Sequence, residues 1–278
     1  MTCTRPKLMV INSLGDTSLF PCGRCMHCRI QRLNEWKTRL EHELQYHEES
    51  CFLTLTYKEE FLPVNGSLVK GDPTKFLKRF RKNLSVKIKY FYVGEYGEDS
   101  DRPHYHFIIF GWQPYDLYMT HYDGRRRYAS RYVDKCWPFG MNNIGVVEED
   151  SIGYVLGYVT KKLYGAMADQ VYGNRLHPFA QMSKGLGLSY ALDHEKDIRE
   201  ELHVKKRGKD LGLPRYYAKK LEIDSKLLLA RTKDKNANKN LQLKELSDKE
   251  AINLIMEDRI QRDKNIKARY AQFERRKL

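Results

Sequence analysis

The spacing of apolar residues predicts alternating helices and strands over the first 190 residues. Leu33, Trp36, Leu40 and Leu44 recur at helical spacing within residues 29–44, a segment without glycine or proline, which predicts an amphipathic helix. The following segment, CFLTLTY at residues 51–57, alternates and is rich in threonine and aromatic residues. That composition favours a strand.

A second helix is predicted from Asp72-Pro73, where a capping residue precedes a proline that suits the first helical turn. One face of this helix is apolar and the other carries a stripe of basic residues. The stripe is either an ordinary solvated face or a surface that lies along phosphates; its members are Lys75, Lys78, Arg79, Arg81 and Lys82.

Residues 89–96 (KYFYVGEY) and 104–110 (HYHFIIF) read as the two strands of a hairpin, with a turn at 97–103. Residues at i and i+2 of a strand share a face. His104, His106, Ile108 and Phe110 therefore point one way, and Tyr105, Phe107 and Ile109 point the other way. The register of the pair is not readable from the sequence.

Residues 112–143 show no clear periodicity and read as an irregular insertion that contains GRRRY at 124–128. Arg125, Arg126 and Arg127 beside tyrosines suit phosphates and stacked bases, although a solvated charge run is nearly as good an interpretation. A short strand at 144–147 is predicted next. A helix is then predicted over 151–163, because the acidic run 148–150 precedes it and Lys161 and Lys162 lie at its end, as the helix dipole favours.

The chain after Pro214 contains no glycine, proline or cysteine. A capping box, Ser247-x-x-Glu250, opens a long polar helix whose narrow apolar stripe is Ile252, Ile255 and Met256. Residues 233–239 are predicted to form an exposed linker. Taken together, the elements predict an α+β domain with an antiparallel sheet and helices packed on one side.

The amino-acid composition predicts a polyanionic binding partner. Fifty Lys and Arg against 36 Asp and Glu give a formal charge of +14, which favours nucleic acid or an acidic membrane through electrostatic steering and counterion release. No apolar run approaches the roughly 18 residues that a membrane span requires, and no signal-peptide pattern opens the chain. We therefore expect a soluble, cytoplasmic protein that binds nucleic acid.

The cysteines indicate a metal site near the N-terminus. Cys22, Cys25 and Cys28 form a double C-x-x-C, a spacing that in a cytosolic protein indicates metal binding before disulfides. A tetrahedral zinc site needs a fourth ligand, for which Cys3 is the first candidate and His27 a poorer one. The alternative is a set of reduced thiols at the start of a helix.

The His-x-His pair in the strand 104–110 predicts a second metal site. Two imidazoles need an oxygen ligand, and Glu95 at the end of the partner strand is well placed, with Glu98 as the fallback. Imidazole with carboxylate suits Mn²⁺, and Mg²⁺ is suitable when substrate phosphate completes the coordination shell. Such an ion would act as a Lewis acid on a phosphoryl oxygen.

Tyr154 and Tyr158 are candidate nucleophiles. Tyr-x-x-x-Tyr occurs four times among 19 tyrosines, so the spacing alone proves nothing. This pair is distinguished because it lies in a predicted helix, where residues four apart share a face. Lys161 and Lys162 follow one turn later, placed to hold phosphate or to stabilise a phenolate.

Three motifs in order resemble those of the HUH rolling-circle replication initiators: FLTLTY at 52–57, PHYHF at 103–107, and Tyr154-x-x-x-Tyr158-x-x-Lys161. The cysteines followed by the Trp36 helix, and GEYG at 94–97 before RPHYH at 102–106, are similar to the initiators of gokushovirus-type microviruses. The resemblance covers residues 1–190. One departure is Tyr105, where the family has a bulky apolar residue; here it faces away from the metal.

The resemblance implies a compact palm whose central antiparallel sheet carries the histidines. It also implies a DNA strand-transfer reaction: one tyrosine attacks the scissile phosphate, a 5′-phosphotyrosine forms, and the free 3′-OH primes synthesis until the second tyrosine acts and the circle is closed. Arg102 joins Arg125, Arg126 and Arg127 as an expected DNA contact. No G-x-x-x-x-G-K-[ST] motif is present, so unwinding would fall to a host helicase, with a replication polymerase as a further partner.

These expectations divide the chain into a cysteine-rich segment at 1–30, an endonuclease domain at 31–190 with an insertion at 112–143, and a basic, mostly helical extension at 191–278. The expected location is the host bacterial cytoplasm. Two alternatives remain: a non-catalytic, zinc-stabilised nucleic-acid-binding protein, and a metal-dependent nuclease that uses activated water. The sequence does not show which tyrosine attacks first.

Overall fold

The computed structural model describes residue 3, residues 7–10, 17–97, 100–122, 124–161, 166–224 and 227–228, and scattered positions between 250 and 268. The chain divides into two compact units: Leu33–Asp193, and a second unit formed by Met1–Arg32 with His194–Leu278. No helix in the described part is long and apolar enough to cross a membrane.

The described part contains eleven strands and eight α-helices. The strands are β1 (Lys7–Val10), β2 (Thr17–Phe20), β3 (Ser50–Tyr57), β4 (Lys89–Tyr96), β5 (Pro103–Phe110), β6 (Leu117–Tyr122), β7 (Arg125–Ser130), β8 (Gly140–Gly145), β9 (Phe179–Met182), β10 (His203–Lys206) and β11 (Lys209–Gly212). The helices are α1 (Met26–Leu44), α2 (Gly71–Lys82), α3 (Arg131–Cys136), α4 (Glu149–Lys161), α5 (Ala166–Tyr172), α6 (Leu188–Asp193), α7 (Glu195–Glu201) and α8 (Arg215–Lys220).

A seven-stranded antiparallel sheet organises the unit 33–193. Its strand order is β6-β7-β8-β3-β5-β4-β9, so the two strands of the predicted hairpin are neighbours between β3 and β9. The predicted strands at 51–57, 89–96 and 104–110 agree with β3, β4 and β5 to within one residue. The α+β class with a central antiparallel sheet flanked by helices is confirmed.

Both faces of the sheet are covered, so the prediction of helices on one side is wrong. One core joins odd-numbered β5 residues to Phe76 and Phe80 of α2. The other core joins Ile108 and Phe110 of β5 to helices α1 and α4. The physical reason is visible in the run FIIF at 107–110: a continuous apolar run, rather than an alternating one, is typical of a strand buried on both faces.

The region 112–143 is ordered, in contrast to the predicted irregular insertion. It contains the hairpin β6–β7, which turns at Gly124 with a φ of +70°, followed by α3 and β8. Trp112 and Trp137 are buried in the core, and Tyr132 and Phe139 pack against it. Polar residues interrupt the apolar pattern of this region because they bind one another. Ser130 caps α3, Asp116 binds the Ser130 side chain, and Asn142 binds the Ser130 backbone.

The described part of the C-terminal extension contains a hairpin in addition to its helices. Between α7 and α8 lies the antiparallel hairpin β10–β11. Arg207 and Gly208 form its two-residue turn with φ values of 47° and 74°, the backbone that tight hairpins require. The predicted linker at 233–239 and the helix stripe at Ile252, Ile255 and Met256 lie outside the described residues.

Tyr105 lies on the face of β5 opposite the histidines, as predicted, and ties the sheet to the loop before α2. Its hydroxyl donates to the carbonyl oxygen of Val69 at 2.9 Å and accepts from the Val69 N–H at 2.8 Å. The hydroxyl of Tyr57 lies 3.1 Å away. The buried phenol therefore satisfies both polar groups of one loop residue.

We predict that Tyr105→Phe lowers the free energy of unfolding by about 1–3 kcal/mol, because it leaves backbone groups of Val69 without their partner. Urea unfolding followed by circular dichroism measures this loss. Tyr92→Phe is the matched control, since the Tyr92 hydroxyl donates to the side chain of the exposed Gln181, which water can satisfy in its place. Equal losses in the two variants would contradict the prediction.

Candidate metal and tyrosine site

The register of β4 and β5 brings three metal-ligand side chains together. Glu95 pairs directly with His104, and His106 lies two residues further along on the same face. Glu95 Oε1 lies 3.1 Å from His106 Nε2 and 3.5 Å from His104 Nδ1. One potential ligand atom from each residue lies within 4.8 Å of the others. The structure therefore groups the predicted ligands, whereas the fallback Glu98 lies outside the described residues.

Burial and charge suit this group to a cation. Glu95 and His106 are buried, while His104 is half-buried. Burial raises the pKa of Glu95, but the hydrogen bonds and charges of the two histidines outweigh it and hold the pKa below its usual value. A carboxylate that stays ionised next to two imidazole nitrogens is a ligand set that Mn²⁺ or Mg²⁺ accepts.

Thr54 orients the buried histidine. It lies opposite His106 in the register of β3 and β5, and its Oγ1 is 3.0 Å from His106 Nδ1. With Nδ1 engaged, Nε2 is the nitrogen that points to Glu95. Such outer contacts fix the tautomer and the ring orientation of a metal-binding histidine. The sequence motif contained Thr54, but its role required the strand register.

Helix α4 places both predicted tyrosines against the histidine. The ring of Tyr158 stacks on His106 with a centroid distance of 4.8 Å and an interplanar angle of 1°, and Tyr154 meets His106 edge-on at 5.6 Å. The Tyr158 hydroxyl donates a hydrogen bond to the Tyr154 hydroxyl. Burial raises the pKa of both phenols, so neither ionises spontaneously near neutral pH.

Phe52 completes the wall of this site. Its ring lies 6.0 Å from both His106 and Tyr154. Phe52 belongs to β3 and is half-buried, so an aromatic side chain shields the histidine next to the tyrosines. Sequence reasoning assigned it no role beyond the motif that contains it.

The basic residues predicted for the site are only partly described. Lys161 ends α4, but its side chain, like that of Arg125, lies outside the described part, and Lys162 lies wholly outside it. Arg126 is exposed and Arg127 is half-buried. Arg102 binds Glu59 Oε2 at 2.5 Å and the Tyr57 carbonyl oxygen at 2.9 Å, so its DNA contact stays a prediction.

The four predicted cysteines form a second group of metal-ligand atoms, with Cys3 rather than His27 as the fourth member. Cys3 Sγ lies 3.7 Å from Cys25 Sγ. The backbone N–H groups of Cys25 and Arg24 donate to Cys22 Sγ and lower its pKa. Burial raises the pKa of the Cys28 thiol to about 12, a cost that a bound cation would offset.

Comparisons with known proteins show the family to which the chain belongs. The profile of a family described as the replication-associated protein ORF2 family matches residues 50–163. The replication-associated protein VP4 of Bdellovibrio phage phiMH2K is 32% identical over 245 residues, covering 78% of this chain and 76% of that protein. The chain belongs to the phage replication-associated proteins. This membership confirms the resemblance to microvirus replication initiators.

Two further relatives are also replication-associated proteins. The ORF2 protein of Spiroplasma virus 4 is 32% identical over 221 residues, covering 73% of this chain and 67% of that protein. The ORF4 protein of Chlamydia phage 1 is 31% identical over 209 residues, covering 71% and 52%. No solved structure matches significantly. The matched residues 50–163 include Glu95, His104, His106 and both tyrosines but not the four cysteines.

We predict that Thr54→Val weakens Mn²⁺ binding by the replication-associated protein about 10- to 100-fold, because His106 loses the contact that fixes its orientation. Electron paramagnetic resonance of Mn²⁺ during titration measures the affinity. Thr54→Ser keeps the hydroxyl and should retain affinity. Thr56→Val, on the same face of β3 but bonded to the Met141 carbonyl oxygen, is the second control. Wild-type affinity in Thr54→Val would contradict the assignment.

Proposed function

We propose that this protein initiates rolling-circle replication by nicking single-stranded origin DNA with a tyrosine nucleophile in an HUH-type site. The observation that carries the proposal is the direct stacking of Tyr158 on His106, with Tyr154 bonded to Tyr158. A nucleophile and a candidate cation site thus share one face of the sheet. Phosphoryl transfer needs this combination of positioning and charge stabilisation.

Glu95, His104 and His106 would hold the divalent cation. When bound, the cation supplies charge stabilisation to a phosphoryl oxygen. The half-buried position of His104 leaves this side of the group accessible to a DNA phosphate, while Thr54 and Phe52 hold the buried ring of His106 from behind. The ligand chemistry supports Mn²⁺ or Mg²⁺.

The tyrosines would carry out the exchange of phosphate bonds. A phenolic oxygen of Tyr154 or Tyr158 forms a bond to phosphorus while the bond from phosphorus to the 3′ oxygen breaks. The phenol loses its proton and the departing 3′ oxygen gains one, so the step is balanced without ATP. Burial raises the pKa of both phenols and so disfavours a free phenolate before the attack. Lys161 and Lys162 are proposed to stabilise the phosphate charge.

The second tyrosine is proposed to cut the regenerated origin after one circuit of replication. The released 3′-OH then attacks the first phosphotyrosine bond, which frees the first tyrosine and closes the DNA circle. Arg102, Arg125, Arg126 and Arg127 are the proposed DNA contacts. A host helicase and a replication polymerase are the proposed partners, and the host bacterial cytoplasm is the proposed location.

The cysteine group is proposed to bind structural zinc. Sulfur atoms at the corners of a tetrahedron around zinc, each about 2.3 Å from the ion, lie about 3.8 Å apart, close to the 3.7 Å between Cys3 and Cys25. Backbone N–H donors to Cys22 stabilise a thiolate. The site would stabilise residues 1–30, which we propose as a cysteine-rich segment distinct from the endonuclease domain at 31–190 and the extension at 191–278.

We predict that Tyr154→Phe combined with Tyr158→Phe lowers covalent DNA attachment at least about 10³-fold, because no nucleophile remains. The assay incubates the protein with origin single strands and Mn²⁺ and detects the adduct on a denaturing gel. Tyr46→Phe with Tyr115→Phe, two exposed tyrosines outside the candidate site, should retain wild-type attachment.

Cutting at the wild-type rate by the double variant, without an adduct, would identify activated water as the nucleophile. DNA binding without cutting by the wild-type protein would indicate the non-catalytic alternative. Either result overturns the proposed function.

We predict about one zinc ion per chain in the purified protein, measured by plasma mass spectrometry. Cys3→Ser should lose the metal, because a tetrahedral site needs its fourth sulfur. His27→Gln should retain it, as should Cys51→Ala, which changes a buried core cysteine outside the group. Full zinc occupancy in Cys3→Ser would contradict the four-cysteine site.

A further inference from the structure

A basic groove lies beside helix α2, away from the tyrosine site. The groove has a volume of about 400 Å³ and is lined by α2, by Tyr90 of β4 and by Gln181 of β9. Three cations from α2 contribute to its wall: Lys78, Arg81 and Lys82. We propose that this α2 groove is a second binding site for single-stranded DNA.

The cations of the groove are available for phosphate. Lys78, Arg81 and Lys82 are exposed and lie at i, i+3 and i+4, so they share one side of the helix. Lys75 pairs with Asp72 at 3.9 Å, whereas no acidic side chain in the described part of the chain forms an ion pair with the three groove cations. Their charge is thus not neutralised by a described carboxylate.

The groove also offers a surface on which a base can stack. The guanidinium carbon of Arg81 lies 5.0 Å from the centroid of the Tyr90 ring, and Tyr90 is half-buried. Leu77 adds an apolar wall. Cations that follow a backbone, next to an aromatic ring and an arginine plane, are the combination that binds single strands without sequence preference.

An unpaired strand fits this chemistry better than a duplex does. Base pairing hides the faces of the bases, so Tyr90 and Leu77 would contribute nothing to duplex binding. A groove that depended on charge alone would lack an aromatic wall. The structure thus favours a partner that offers phosphates and exposed base faces together.

The groove cannot share a phosphate with the candidate metal site. Tyr90 and Glu95 both belong to β4, but positions 90 and 95 are an odd number apart and point to opposite faces. They are also about 17 Å apart along the strand. Arg79 of the same helix does not belong to the groove, since its Nε donates to the Cys136 carbonyl oxygen at 2.7 Å.

The test measures fluorescence anisotropy of a labelled oligonucleotide with full-length protein that carries Tyr154→Phe and Tyr158→Phe, without added Mn²⁺ or Mg²⁺. This background separates groove binding from cutting. Lys78→Gln with Arg81→Gln and Lys82→Gln should weaken binding at least about tenfold and reduce the salt slope by about 2, as expected for three phosphates at 0.7 each. The charge-matched control is Lys58→Gln with Arg131→Gln and Lys135→Gln, three exposed cations outside the groove.

Tyr90→Leu should weaken single-strand binding about tenfold through lost stacking, while Tyr90→Phe should retain affinity because the ring face remains. Duplex DNA should show no dependence on Tyr90. The proposal is overturned if the groove triple variant and the charge-matched control behave alike, if Tyr90→Leu binds single strands like the parent, or if a free mononucleotide competes as well as the oligonucleotide.

Discussion

The pairing of Glu95 with two imidazoles is the interaction on which the candidate site depends. A buried carboxylate is unfavourable without charged or hydrogen-bonding partners, and here the partners are His104 and His106. Their hydrogen bonds hold the carboxyl ionised in spite of its burial. The register of three neighbouring strands creates this arrangement, because β4 supplies the carboxylate, β5 the imidazoles and β3 the hydroxyl of Thr54. A slip of one residue would send Glu95 to the opposite face.

Two hydrophobic cores, one on each face of the sheet, hold this strand register. On the face of the histidines, α1 and α4 pack against Ile108 and Phe110 of β5, and α4 also brings both tyrosines to His106. On the opposite face, α2 and the aromatic residues of the region 112–143 pack against Tyr105 and Phe107. The second core has no group in the site, yet it keeps the strands in place.

Much of this arrangement was predictable because it depends on patterns among residues that are close in sequence. The alternation at 51–57, the His-x-His pair and the helical spacing of Tyr154 and Tyr158 each depend on neighbours in sequence. The order of region 112–143 was not predictable in this way, since its polar residues bind each other across distances that only the fold defines, as Asn142 binds Ser130. The role of Thr54 depended on register, and the cover on both faces was signalled only by the unbroken run FIIF.

The hydrogen bond between the hydroxyls of Tyr154 and Tyr158 makes the two phenols chemically dependent on each other. If one oxygen becomes a phosphate ester, it has no proton left to donate and is a weaker acceptor than a free hydroxyl. The other phenol then stands beside a charged neighbour instead of a neutral one. Under the proposed exchange, esterification of one tyrosine would therefore raise the pKa of the other, because the phosphate diester adds a negative charge beside it.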